Sequence, residues 1–73
     1  MTRAEKIDAA VSDAGRLISA LLEFGPLTAA QCSVLVMAAV RAVVPNFQEW
    51  EARDGAIRIV KEMEDEDKSR NGG

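Results

Sequence analysis

Seventy-three residues allow one domain at most, near the size below which a single hydrophobic core seldom holds a fold alone. With 48% hydrophobic and 29% charged residues the chain reads as globular rather than disordered. A net charge of −3 argues against direct binding of nucleic acid and against a basic helix lying on a membrane surface. The single cysteine, Cys32, rules out an internal disulfide, so a reducing cytoplasm is the expected compartment. The charged opening MTRAEKIDAA lacks the apolar run of a secretory signal.

Thr2-Arg3-Ala4-Glu5 is a capping box, with a hydroxyl and a carboxylate three residues apart. Apolar residues recur at Ile7, Ala10, Val11, Ala14, Leu17, Ile18, Leu21 and Leu22, so a helix is predicted from Arg3 to Phe24. Gly25-Pro26 supplies the expected stop, with glycine just past the last turn.

A second box, Thr28-Ala29-Ala30-Gln31, opens a helix that must end near Val44, ahead of Pro45. At about 100° per residue, Cys32, Leu35, Val36, Ala39, Val40, Val43 and Val44 cover most of its circumference. The strip through Gln31, Ala38, Arg41 and Ala42 is the most polar. A helix apolar nearly all round is expected to be buried, here between the first and third helices.

Asn46-Phe47-Gln48-Glu49 offers a third start, with Asn46 as the expected N-cap. Beyond it, Ala56, Ile59, Val60 and Met63 form one face, whereas Phe47 and Trp50 project to the other. Asp54-Gly55 lies between the two patterns, so either the chain bends there or one continuous helix exposes both aromatics; a bend is predicted, because it would spare Phe47 and Trp50 from solvent. After Met63 no apolar residue remains in EDEDKSRNGG. The expected architecture is an all-α bundle of three or four helices over residues 1–63, with a highly apolar central helix and a flexible acidic tail over 64–73. Its core is expected to include Leu17, Leu21, Leu35, Val36, Val40 and Ile59.

The chemistry is limited. Without histidine there is no Ser–His or Cys–His pair, and no His-containing zinc or di-iron site. Cys32 reads as a core thiol. The acids Glu62, Glu64, Asp65, Glu66 and Asp67 read as a solvated helix end, with no calcium-binding loop spacing. The glycines form no phosphate-cradling loop. No enzyme, cofactor or metal is expected.

What remains is binding. Between Asn46 and Asp67 stand eight acids against three bases, a surface able to steer onto a basic site of a larger protein. Phe47 and Trp50 are either core or aromatic anchors ringed by Glu49, Glu51 and Asp54. Arg41 is either an edge residue with its stem packed or an interface contact. These six residues are the candidate partner-binding set. The expected function is a non-enzymatic, protein-binding inhibitor or regulator. The alternatives are a self-associating scaffold or accessory subunit, dimeric through the central helix, and a small membrane-associated protein using residues 26–45. In general profile the chain resembles the small acidic inhibitors of host machinery carried by phages and mobile elements, a likeness of type with no shared motif.

Overall fold

The computed structural model describes the backbone of residues 1–72 and the side chains of residues 1–65. Three helices follow in chain order, α1 (Arg3–Leu22), α2 (Ala29–Val43) and α3 (Glu49–Gly72). The tail expected over 64–73 lies, from residue 66 onward, outside the described side chains.

The N-caps of both boxes form where the sequence places them, but only the box at α2 is complete, since the Glu5 carboxylate accepts from the Thr2 hydroxyl rather than from the Thr2 N–H. Thr2 Oγ1 accepts the Glu5 N–H, and at α2 the box closes in both directions between Thr28 and Gln31. Helix α1 stops two residues earlier than Phe24. Its end is tightened by the N–H groups of Glu23 and Phe24, which bond the carbonyls of Ala20 and Leu21. Gly25 is not the left-handed cap expected of it, since no glycine among the described residues has a positive φ.

The start of α3 also differs. Asn46 sits in a turn, and Gln48 takes the capping position. The Gln48 N–H donates to Oε1 of Glu51 at 2.8 Å, and the Glu51 N–H donates to the Gln48 carbonyl. Asn46 is used elsewhere, as described below.

The predicted bend at Asp54-Gly55 does not occur, and α3 runs through both residues without interruption. Gly55 has a packing role instead. A β-carbon there would lie 2.7 Å from Cγ2 of Val11, so its absence lets α3 close on α1. One turn further on the roles reverse, and Gly15 of α1 leaves room for Ile59 of α3.

Helices α1 and α3 run in parallel, because Arg3 meets Glu51, Val11 meets Gly55 and Gly15 meets Ile59. Helix α2 runs back between them, its early Cys32 touching Met63 near the far end of α3. The core is Ile7, Ala10, Val11, Ala14 and Ile18 from α1, Cys32, Val36, Val40 and Val44 from α2 and its cap, and Ala52, Ala56 and Ile59 from α3. Its α2 members are spaced by four, one stripe of the helix rather than its whole circumference. Two neighbours cover two flanks of a helix, so Val34, Ala38 and Ala42 face outward.

The expected leucine core is corrected accordingly. Leu17 is 50% exposed, and Leu21 and Leu35 are only half-buried, while Val36, Val40 and Ile59 are buried as expected. Alanine, valine and glycine at the helix contacts bring the backbones close, and the longer leucines are displaced to the edges.

Candidate interaction surfaces

The loop joining α2 to α3 is fastened by Arg3 from the start of α1. Its guanidinium donates through Nε and Nη2 to the two carboxylate oxygens of Glu51, at 2.7 and 2.9 Å. Nη1 and Nη2 also donate to the side-chain and backbone oxygens of Asn46, at 3.2 and 3.1 Å. A planar fork against a carboxylate is the strong form of such a pair. The Arg3 hydrogen bonds, followed by the Gln48 N–H, hold the Glu51 carboxyl down at about 2, far below its usual range. Glu51 in turn raises the Arg3 pKa.

The six candidate residues therefore fall in three places. Glu51 is spent on the clasp with Arg3 and on capping α3. Arg41, Phe47 and Glu49 share a cleft with Met37 and Pro45, where the Arg41 guanidinium lies 5.9 Å from the centre of the Phe47 ring. Phe47 is half-buried and packs against the core, whereas Arg41 and Glu49 are exposed. Trp50 stands apart at 70% exposure on the first turn of α3, with exposed Asp54 one turn later on the same face. The expected ring of aromatics and acids is thus divided: of its two aromatics only Trp50 is exposed, and the other exposed aromatic, Phe24 at 88%, lies in the turn after α1.

Two features escaped the sequence pattern. Ile57 is 58% exposed and continues the Trp50–Asp54 line along α3. On the other side of the molecule Leu21, Leu27, Ala30, Gln31, Val34 and Leu35 line a groove of about 440 Å³ between α1 and α2, with no charged side chain among them. Leu17, one turn before Leu21, and Val34, at 66% exposure, stand at that seam.

Cys32 is fully buried with its Sγ 3.3 Å from the Met63 sulfur, and burial pushes its thiol pKa up. A thiol so placed is a packing group rather than a nucleophile. No cluster of three or more potential metal ligands occurs among the described residues, and none of their helices is long and apolar enough to cross a membrane. No protein-family model, curated protein or solved structure matches this chain.

Proposed function

We propose that this chain is a non-enzymatic protein-binding module that docks the outward face of α3 on a larger protein. The observation that carries the proposal is Trp50, a large aromatic at 70% exposure on an ordered helix rather than a loose terminus. Tryptophan is the residue most characteristic of interface hot spots, where it fills a pocket inside a polar rim. Here the rim is Glu49, Arg53 and Asp54, with Ile57 extending the apolar contact. The partner surface that fits is an apolar pocket edged by lysine or arginine. By covering such a basic site the module acts as an inhibitor or regulator of the protein that bears it.

The Arg3–Glu51 clasp supports this reading, because it fixes the first turn of α3 and so orients Trp50 before any partner arrives. Preorganisation lowers the entropy cost of binding. The test is capture from the source cells with parallel baits: the natural chain, Trp50→Ala and Asp54→Lys. A protein retained by the natural chain, lost with Trp50→Ala and weakened by both Asp54→Lys and added salt is the expected result. Titrating that protein into the free chain should shift the emission of the sole tryptophan to the blue. Capture indifferent to Trp50→Ala would remove α3 as the working face.

A further inference from the structure

Leucine is among the residue types most often found fully buried, yet none of the five leucines here is buried. Leu21, Leu27 and Leu35 line the groove between α1 and α2, and Leu17 lies one turn from it. We infer that a second copy of this chain covers the α1–α2 face, joining the two hairpins into a four-helix core with the twofold axis near Ala38. The inference does not rest on docking through Trp50, which lies on the opposite side of the bundle.

Charge selects the occupant. Each copy carries −3, so two copies repel wherever their charged surfaces meet. The groove residues and Ala38 beside them carry no formal charge, and the one charged residue of α2 is Arg41, a cation at the edge of that face. Pairing there puts the two acidic α3 helices outermost and farthest apart. The face also suits itself in shape: Val34 projects, while Ala38 and Ala42 leave room for an opposing side chain. A chain of this size with a core of alanine, valine and isoleucine gains from such association.

The area indicates how tight the pair can be. Helix α2 is 15 residues long, hence about 22 Å at about 1.5 Å per residue, and two adjacent helices make a face about 20 Å wide. That is about 450 Å² in projection per copy and about 900 Å² for the pair, below the range of stable specific interfaces and within that of weak, transient ones. The pair is therefore expected to be weak and reversible, to be sought from micromolar concentrations upward.

Sedimentation equilibrium of the full chain across that range is the test. The expected result is a monomer–dimer equilibrium that Trp50→Ala leaves unchanged. Val34→Glu, which places an unpaired carboxylate in the contact, should weaken it by about a hundredfold or more. A monomer at every concentration, or a dimer that survives Val34→Glu, overturns the inference. Should Val34→Glu lose its helical circular dichroism, Ala38→Cys decides under mild oxidation, with the buried Cys32 as the unreactive internal control. A covalent dimer through position 38 supports the twofold pairing, and its absence overturns it.

Discussion

Gly55 on α3 stands so close to Val11 on α1 that an added β-carbon would lie 2.7 Å from one valine methyl and 3.0 Å from the other. A helical Gly→Ala change ordinarily gains about 1 kcal/mol. Here the obstruction is a β-branched side chain with little freedom to move, so overpacking of about 1–3 kcal/mol outweighs that gain and Gly55→Ala should be destabilising by up to about 2 kcal/mol net. Gly15 meets only the terminal methyl of Ile59, at 2.8 Å, which can swing aside, so Gly15→Ala should fall within about 1 kcal/mol of neutral. Gly25 has nothing within 4 Å and no positive φ, so Gly25→Ala should gain about 0.4–1 kcal/mol. Thermal melts of the three variants check the order. Restored stability in the double variant Val11→Ala, Gly55→Ala would identify the contact as the cause.

Burial, rather than residue type, should rank the core substitutions. Ile18 is almost wholly buried, so Ile18→Ala should cost about 2–5 kcal/mol, much of the stability of a domain this small. Leu35→Ala removes a half-buried side chain and should cost no more than about half as much. Leu17→Ala, measured dilute enough to keep the chain monomeric, should stay within about 0.5 kcal/mol. Urea denaturation at low concentration separates the three. Equal losses for Leu17 and Ile18 would contradict the exposed position of Leu17.

Glu51 ties stability to pH. Its carboxyl titrates at about 2 in the folded chain and near 4.5 when free, so the folded state favours the ionised form. The stabilisation is complete above the unfolded value and is lost as pH falls from about 4.5 towards 2. Glu51→Gln should lower the melting temperature at pH 7 and flatten its dependence across that acid window. Arg3→Ala should do the same, and the double variant should be no worse than either single change. The effect should shrink in high salt, because the Arg3 guanidinium is exposed.

Two single residues report on the fold without disturbing it. Trp50→Ala should leave the far-ultraviolet dichroism and the melting temperature unchanged, since the side chain packs little in the free protein. A thiol reagent, by contrast, should reach Cys32 only through unfolding, so its labelling rate should follow global opening. Rapid labelling under native conditions would place Cys32 outside the core.

Local signals were legible in the chain and long-range ones were not. Thr28 and Gln31 define the entry to α2 because a capping box depends only on neighbours three residues apart. The spacing of Ile7, Val11, Ala14 and Ile18 likewise marks the inner face of α1. Asp54-Gly55 misleads, since a glycine required by a neighbour from another helix looks in sequence like a breaker. Asn46 misleads for a similar reason, as a plausible cap is recruited by an arginine 43 positions away. Of the six candidate contacts, Glu51 is drawn into that same clasp, and no periodicity within the third segment could reveal its partner in the first. Leu17 misleads because it continues an apolar stripe whose far edge no third helix reaches.

The clasp spans 48 positions, whereas the α1–α2 hairpin is joined through residues 23–28 alone. Contacts between near neighbours close with little loss of chain entropy, so the hairpin should form early and α3 should dock late. Interactions absent from the transition state affect the rate of escape from the native basin and leave the rate of arrival unchanged. In stopped-flow experiments Arg3→Ala should therefore speed unfolding while the refolding limb stays put, and Val36→Ala should slow refolding. Arg3 sets how long the native state lasts, not how quickly it is reached.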